Sequence, residues 1–324
     1  MIESLHRSVL LEETVQALIP DDRVPAEGIY VDGTFGRGGH SRALLERLSA
    51  TAQLFVIDKD PEAIAIAQQW ADADPRIVCI HGAFGDLGGL LSEQGVDTVD
   101  GVMLDVGVSS PQIDQAQRGF SFMRDGPLDM RMDTSQGQTA AQWLANASLE
   151  EVREVIKKYG EERFALQIAK AIVARRTVRP IERTLDLADI VAATVRTREK
   201  GQHPATRTFQ AIRIYLNREL EELDSALEAT LTHLRVGGRL AVISFHSLED
   251  RRVKQFLQQA AKPDAAYARL PLREDQMPQP LLNHVKRLLP SKAEIQANVR
   301  ARSAVLRFAQ RTSTPLPIVR GRRR

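Results

Sequence analysis

The chain has 324 residues, of which 43% are hydrophobic and 27% are charged, a composition typical of a soluble globular protein. Its single cysteine excludes an intramolecular disulfide and any zinc site built from several cysteines, and we expect no metal. Apolar runs are only a few residues long and no signal-peptide core is present, so we expect a cytoplasmic protein without a membrane span.

The net charge of +2 hides an uneven distribution of charge along the chain. From Lys286 to Arg324 there are 11 Lys and Arg residues against one acid, Glu294, which gives this segment +10. The remainder of the chain therefore carries −8. Such asymmetry indicates an anionic partner, although the terminal cluster 320–324 alone is also typical of a solvated tail.

Short β-rich runs alternate with helical patterns in the first third of the chain, which predicts βαβ units and a parallel sheet. The predicted strands are 29–31, 54–57, 77–80, 101–104 and, much later, 239–245. A first helix is predicted at 40–48. Asp60 and Pro61 predict the start of a second, because aspartate caps helices and proline suits their first position.

About 130 residues separate the fourth and fifth strands, although one crossover helix needs far fewer. Apolar residues spaced by three and four predict one long crossover helix at 209–234. The preceding residues must then form an insertion, and their periodicity is helical at 152–159, 164–173 and 185–195. Ser148 and Glu151 have the spacing of a capping box at the start of this region.

These elements predict a doubly wound α/β fold interrupted by a small helical domain. The α/β domain is discontinuous and comprises residues 1–112 and 208–324, and the inserted helical domain comprises 113–207. We assign cofactor binding to the first domain and substrate recognition to the second.

A glycine-rich segment, Asp-Gly-Thr-Phe-Gly-Arg-Gly-Gly-His at 32–40, joins the first strand to the first helix. Glycines permit positive φ and close backbone approach, and the following helix presents free N–H groups to an anionic ligand. Asp58 ends the next strand, where a carboxylate can accept both hydroxyls of a ribose. The combination predicts a nucleoside-cofactor site.

Two residues in or directly after this segment favour S-adenosylmethionine over a dinucleotide as the cofactor. Ser41 stands at the third glycine position, so the GxGxxG pattern is incomplete. Asp32, just before the loop, suits a ligand with an ammonium group better than a pyrophosphate. S-adenosylmethionine has an ammonium group, a carboxylate and a ribose and is the predicted cofactor. NAD is the weaker alternative.

The fourth strand ends at Asp105 and runs into a short polar turn that ends at Gln112. In a doubly wound fold this end of the strand lies beside the ligand crevice, where it can place a substrate amine against an electrophile. Alone, the segment is also typical of a simple turn around Pro111.

Together these segments resemble the bacterial ribosomal RNA small subunit methyltransferase H family, which methylates N4 of a decoding-site cytidine in 16S rRNA. The resemblance implies a Rossmann-like methyltransferase fold. Residues 263–285 match least well, and the Arg-rich end looks like an addition. The matching segments are 6–11, 32–41, 105–112, 118–133, 159–164, 203–210, 244–251 and 300–304.

The resemblance also implies the residues of the S-adenosylmethionine site. They are Gly38, Gly39, His40, Asp58, Phe84, Asp105 and Gln112. Phe84 is expected to cover the adenine, and Asp105 to contact the cofactor, to orient the substrate amine as the one catalytic candidate, or both. The segment 109–112 lacks the aromatic that stacks on the flipped base in other amino-methyltransferases. Phe120 or Phe122 could replace it, and packing roles for both fit equally well.

The leading hypothesis is an S-adenosylmethionine-dependent rRNA cytosine-N4 methyltransferase acting on 16S rRNA within the small ribosomal subunit. His203 and His246 are candidate general bases, although a histidine at such a position is more often structural. Methyl transfer from an activated sulfonium needs little acid–base help, because alignment supplies much of the acceleration. The alternatives are a methyltransferase for DNA amines or a small molecule, and a non-catalytic RNA-binding or assembly factor.

The inserted domain contains a basic segment that could grip RNA. Between Lys157 and Arg183 there are eight Lys and Arg residues and three Glu. If this segment binds phosphates, replacing Arg175 and Arg176 should weaken rRNA binding and its salt dependence. A solvated helical face is the alternative.

Overall fold

The computed structural model describes residues 8–195, 203–263, 273 and 277–316. Three parts of the sequence interpretation lie outside these residues. They are His6 and Arg7 of the first matching segment, residues 264–272 and 274–276 of the weakly matching segment, and the cluster 320–324. The chain divides into two compact units, Met1–Gly107 with Glu221–Arg324, and Val108–Leu220. We call them the sheet unit and the helical unit. The predicted breaks come after residues 112 and 207, whereas the units divide after residues 107 and 220, so residues 208–220 belong to the helical unit.

The sheet unit is built on seven strands. They are β1 (Ile29–Asp32), β2 (Gln53–Asp58), β3 (Ile77–His81), β4 (Val99–Asp105), β5 (Leu234–Ser244), β6 (Leu282–Leu288) and β7 (Val305–Arg311). Their order is β3-β2-β1-β4-β5-β7-β6, with the first five parallel and the last two antiparallel to their neighbours. The predicted α/β, doubly wound, Rossmann-like fold is confirmed, while the hairpin formed by β6 and β7 is absent from the prediction.

Thirteen α-helices lie within the described residues. They are α1 (Leu11–Leu18), α2 (Gly39–Leu45), α3 (Pro61–Ala73), α4 (Leu87–Glu93), α5 (Ser110–Asp114), α6 (Ala140–Asn146), α7 (Leu149–Gly160), α8 (Ala165–Arg176), α9 (Thr184–Thr194), α10 (Thr206–Leu216), α11 (Glu219–His233), α12 (Ser247–Ala261) and α13 (Lys292–Ala297). None of them is long and apolar enough to cross a membrane.

The parallel strands are apolar along their length because helices cover both faces of the sheet. All of β4 except Asp105 is buried. On one face the core contains Leu44, Ala63 and Leu306, and on the other Leu91, Leu227 and Leu257. The predicted cap of α3 is confirmed, since the Asp60 side chain accepts a hydrogen bond from the Glu62 N–H at 3.0 Å.

The single crossover helix predicted at 209–234 is wrong. The chain forms α10 and α11 instead, and Arg218 between them has φ of 52°. The Asn217 side-chain amide donates to the carbonyls of Arg213 and Met130 at 2.9 and 2.8 Å, and its oxygen accepts the Met132 N–H at 2.7 Å. These bonds end α10 although the apolar spacing continues through the break.

In the helical unit, α7 packs against α8 and α10, and α8 packs against α9. The predicted capping box at the start of α7 is confirmed. The Ser148 hydroxyl accepts the Glu151 N–H at 3.2 Å, and the Glu151 carboxylate accepts the Ser148 N–H at 2.7 Å. The apolar face of α7 is buried.

Candidate active site at the carboxyl edge of the sheet

The candidate site lies where the strand order reverses. The chain runs from β1 to β2 and β3 on one side, whereas β4 pairs with β1 on its other side. Ligands of open α/β sheets bind in the crevice at such a switch point, at the carboxyl ends of the strands. Asp32, Asp58 and Asp105 each end one of these parallel strands.

Asp32 holds the glycine loop in place. Its side chain is fully buried, with one carboxylate oxygen accepting the Thr34 N–H at 3.0 Å and the other the Ser41 hydroxyl at 2.6 Å. Burial raises the pKa of Asp32 to about 6, against the effect of these hydrogen bonds. The predicted contact with a ligand ammonium group therefore does not fit Asp32, because its side chain is completely buried beneath the loop.

The glycines of the loop allow close packing behind it. Gly38 has φ of 75°, and a Cβ at this position would lie 2.6 Å from the Trp70 ring and 2.8 Å from the Phe35 ring. Those two rings pack edge to face with centroids 5.4 Å apart. A Cβ at Gly39 would lie 2.0 Å from the Ser8 hydroxyl oxygen. A side chain at Gly38 would collide with both rings and displace the loop, whereas the Ser8 hydroxyl that faces Gly39 can rotate away.

Asp58 carries a half-buried carboxylate beside the loop. One oxygen accepts the Gly36 N–H at 2.8 Å and the other the Asp60 N–H at 2.9 Å. Burial raises the pKa of Asp58. Each oxygen has a second lone pair, so this carboxylate can still accept hydroxyl donors.

Phe84 lies near the same edge, in the turn after β3. It is half-buried, and a Cβ at Gly33 would lie 3.5 Å from the Phe84 Cβ. The Cβ of Phe84 therefore lies beside the start of the glycine loop, and the predicted contact of its ring with an adenine stays a prediction.

Asp105 has the most unusual environment of the strand-end acids. Its N–H donates to the Thr34 hydroxyl at 2.6 Å, and a quarter of its side chain is exposed. Its Oδ1 atom is buried and has no hydrogen-bond partner among the described residues. Burial, together with the charges of Asp32 and Glu249, raises the pKa of Asp105 to about 8. An unpaired buried acceptor costs about 1–3 kcal/mol, which is expected where a ligand supplies the donor.

His40 lies behind Asp105 and is almost completely buried. Its Nε2 is 3.1 Å from the Val9 carbonyl oxygen, so this nitrogen carries the proton and donates it. Burial lowers the pKa of His40 to about 4, so the ring is neutral at pH 7. Its Nδ1 lone pair then faces Asp105 Oδ2 across 3.6 Å. Two acceptors at this distance form no hydrogen bond, so neutral His40 leaves both the charge and the Oδ1 atom of Asp105 uncompensated.

Glu249, in the first turn of α12, is a site neighbour that the sequence interpretation missed. It is 2% exposed, and its carboxylate accepts the N–H groups of Phe245 and His246 at 2.8 and 3.2 Å. The His246 Nδ1 in turn accepts the Glu249 N–H at 3.4 Å and caps α12. The available signal was the three-residue spacing of a capping box, from His246 to Glu249, soon after a strand. This geometry gives His246 a structural task.

The helical unit contains the other predicted residues. Gln112 is buried and closes a capping box, its side-chain oxygen accepting the Ser109 N–H at 2.9 Å. Phe122 packs against the rings of His203 and Phe209, with centroids 4.5 and 4.8 Å apart. The Nδ1 of His203 accepts the Ala205 N–H at 3.2 Å. Phe122 and His203 therefore have packing partners of their own, and the predicted cofactor contact of Gln112 stays a prediction.

Six of the seven predicted cofactor residues thus belong to the sheet unit. They are Gly38, Gly39, His40, Asp58, Phe84 and Asp105. Within that unit the glycine loop, Asp58 and Asp105 are tied together by direct hydrogen bonds through Gly36 and Thr34.

The chain matches the MraW methylase family over residues 3–312. It is 61% identical to a protein of Bordetella avium named ribosomal RNA small subunit methyltransferase H, over 96% of this chain and 93% of that one. A Neisseria gonorrhoeae protein of the same name is 55% identical over 96% and 97%. A solved rRNA methylase of Streptococcus thermophilus covers 90% of this chain and 91% of its own, with TM-score 0.37 and 12% identity. The resemblance seen in the sequence is confirmed, and the chain belongs to the MraW methylase family.

Proposed function

We propose that this chain is an S-adenosylmethionine-dependent methyltransferase that acts on 16S rRNA of the small ribosomal subunit, at the N4 amine of a decoding-site cytidine. Membership of a methylase family and the names of relatives that match over nearly their whole length support an rRNA substrate. The choice of N4 and of the decoding site rests on the sequence resemblance. The observation that carries the proposal is the buried Oδ1 atom of Asp105 at the switch point of the sheet, to which no described residue donates a hydrogen bond.

The side chains of the site fit S-adenosylmethionine. Asp58 offers carboxylate oxygens for the ribose hydroxyls, and Phe84 offers a half-buried ring for the adenine. Asp105 Oδ1 is an acceptor that lacks a donor, which suits an ammonium or amine group. When bound, S-adenosylmethionine supplies a methyl group activated by the sulfonium. Gln112 is a further proposed contact.

Asp105 has the chemistry to orient the amine of a cytosine. A carboxylate oxygen accepts an amine N–H and fixes the direction of the nitrogen lone pair, and alignment of this kind supplies a large part of a transfer rate. The same oxygen can take the proton that the amine loses on methylation, with the neutral His40 ring behind it. Because a cytosine within folded rRNA is stacked, we propose that it is extruded to reach this carboxylate.

Methyl incorporation tests the proposed function directly. The full-length protein is supplied with labelled cofactor and one of four acceptors: purified 30S subunits, protein-free 16S rRNA, DNA or protein. We expect label in RNA, recovered after nuclease digestion as N4-methylcytidine. Label in DNA, or at another position of the nucleoside, would overturn the assignment of substrate. Cofactor binding without incorporation into any acceptor would favour a non-catalytic assembly factor.

The affinity for S-adenosylmethionine should depend on pH through Asp105. Its pKa of about 8 means that it is protonated in the free protein at pH 7, and a cationic group binds only the ionised form. Affinity should therefore rise with pH, by up to about tenfold between pH 7 and pH 9. Calorimetry should compare wild type with Asp105→Asn at each pH, so that the ligand's own titration affects both proteins. A ratio of affinities that does not change with pH would contradict the proposed contact.

The other titratable groups around Asp105 do not produce this dependence of affinity on pH. Asp32, with a pKa of about 6, and His40, with a pKa of about 4, titrate below the tested range. Glu249 contributes a negative charge that raises the pKa of Asp105.

The basic segment of the helical unit contains two kinds of cation. Arg176 donates to the carbonyls of Leu144 and Ala147 at 2.5 and 2.6 Å, so it holds the end of α6. Lys157, Lys170 and Arg179 are exposed. The paired replacement of Arg175 and Arg176 that the sequence indicates would therefore mix a loss of stability with a loss of surface charge.

Replacing Lys157, Lys170 and Arg179 together by Gln should lower the slope of log K against log salt for 16S rRNA by about 2 to 3, if each contacts a phosphate. Arg176→Gln should instead lower the free energy of unfolding by about 1.5–3 kcal/mol, because carbonyl acceptors lose a charged donor. Filter binding over a salt series and thermal unfolding separate the two effects. An unchanged salt slope in the triple variant would assign these charges to solubility.

A further inference from the structure

The outer hairpin of the sheet unit is not accounted for by the cofactor site. It consists of β6 and β7, joined through α13 and a short 3-10 helix, Val299–Ser303. In the order of strands β6 is last, and among the described residues no strand pairs with its outer edge. Only Leu282 of β6 is buried. A strand so exposed contributes little to the core, so its surface residues need another explanation.

The hairpin region is strongly basic. Residues 277–316 contain seven Lys and Arg residues and a single acid, Glu294. Glu294 is occupied, because its carboxylate accepts the Leu10 N–H at 2.7 Å. Two of the cations are occupied as well. Arg307 forms a two-pronged pair with Asp250 at 2.7 and 3.1 Å, and Arg311 donates to the carbonyls of residues 281, 312 and 314.

Three of the remaining cations lie on one side of the sheet. Lys286 is directly opposite Phe308 in the antiparallel pairing, so both side chains project to the same face. Phe308 packs against the core cluster that contains Ala301, from the 3-10 helix after α13. The 3-10 helix, which contains Arg302, therefore lies on the side of the sheet to which Lys286 projects, and α13, which contains Lys292, packs against that helix. All three are exposed, and none has an ion pair among the described residues.

The backbone of β6 is poorly suited to pairing with a strand of a partner protein. The register with β7 shifts between Asn283 and Lys286, and His284 has φ of 49°. Bulges and charged residues on an edge strand hinder the addition of another strand. A partner at this surface would then be bound by the positively charged side chains and not by the strand backbone. Such side chains favour an anionic partner that carries several charges.

We infer that Lys286, Lys292 and Arg302 form a second RNA-binding surface, on the sheet unit, that contacts phosphates of the substrate RNA away from the methylated base. The inference rests on the proposed function, since it takes the RNA substrate from there. Exposed Leu288, two residues after Lys286 in β6, projects to the same face and can pack against sugars and bases. Phosphate contacts of this kind position an RNA without reading its sequence.

The test is a triple variant, Lys286→Gln, Lys292→Gln and Arg302→Gln, in the full-length protein. Its matched control removes three exposed cations elsewhere on the sheet unit, with Arg23→Gln, Lys254→Gln and Lys262→Gln. Binding to protein-free 16S rRNA is measured over a salt series. We expect the slope of log K against log salt to fall by about 2 to 3 in the first variant only, since each lost phosphate contact removes about 0.7–0.9. Both variants should keep the wild-type melting temperature and cofactor affinity.

Other outcomes overturn the inference in distinguishable ways. A wild-type protein that methylates rRNA, with equal slopes in both triple variants, refutes the second surface and leaves the proposed function intact. A wild-type protein that binds rRNA without methylating any acceptor refutes the proposed function, and the slopes still decide the surface. If the first variant instead loses only binding to phosphatidylglycerol vesicles, the surface is for a membrane and the inference fails. A wild-type protein that neither binds nor methylates RNA refutes both.

Discussion

Replacing Asp105 by Asn should leave the protein folded and lower single-turnover methyl transfer by about 10- to 150-fold. The substitution preserves the size of the side chain but removes its negative charge and turns one oxygen into a donor. Asp105 Oδ1 is buried without a partner in the described part of the chain, so the group that binds there gains a charge-assisted hydrogen bond. The loss of such a bond costs about 1.5–3 kcal/mol, which corresponds to this range of rates.

The dependence on cofactor concentration separates the two roles of Asp105. If the carboxylate contacts only the cofactor, saturating S-adenosylmethionine should restore the wild-type rate. If it also holds the substrate amine, the single-turnover rate should stay low at saturation. Rates near those of wild type at every concentration would remove Asp105 from both roles.

Asp100→Asn is a matched control for this experiment. Asp100 is the other aspartate of β4; it is buried and lies at the opposite end of the strand from Asp105. Its carboxylate accepts the Ile29 N–H at 2.9 Å and pairs with Arg235, so it serves the fold. The control should lose stability while its transfer rate at saturation stays unchanged. A loss of rate equal to that of Asp105→Asn would show that removing any charge from β4 disturbs the chemistry.

The position of the site could be predicted from the sequence because it depends on local patterns. The strands β1, β2 and β4 each end in Asp, and the carboxyl ends of parallel strands lie at one edge of the sheet. The glycine segment marks the turn after the first of these strands. Asp32, Asp58 and Asp105 therefore fall where the pattern puts them. The task of Asp32 could not be predicted, because it depends on a contact across the loop. Ser41, the residue that interrupts the glycine fingerprint, is the donor that occupies Asp32.

Two features of the fold escaped prediction for physical reasons. In β6 only Leu282 is buried, so the strand carries no alternation of apolar and polar residues. The break between α10 and α11 is set by Asn217, whose partners Met130 and Met132 are 87 and 85 residues away in the chain. The spacing of apolar residues shows only which face of a helix is buried. Because hydrogen bonds to distant residues end α10 without changing that spacing, the sequence pattern does not show the break.

Asp58→Ala should weaken S-adenosylmethionine binding by about 10- to 150-fold. The proposed role of the carboxylate is to accept the ribose hydroxyls, and losing hydrogen bonds to a charged group costs about 1.5–3 kcal/mol. Calorimetry on the full-length protein measures the effect. Wild-type affinity in a folded variant would remove Asp58 from the cofactor site.

The Asp58 carboxylate also accepts the N–H groups of Gly36 and Asp60. Two further variants are therefore needed to separate a ribose contact from these structural hydrogen bonds. Asp58→Asn keeps one acceptor oxygen of the same size and should lose less affinity than Asp58→Ala. Asp60→Ala removes the cap of α3 and should cost about 0.5–2 kcal/mol of stability with little effect on affinity. If Asp60→Ala weakened binding as much as Asp58→Ala, the effect would come from the loop and helix rather than from a ribose contact. Near-wild-type affinity in Asp60→Ala, with a graded loss from Asn to Ala at Asp58, is the pattern that a direct contact requires.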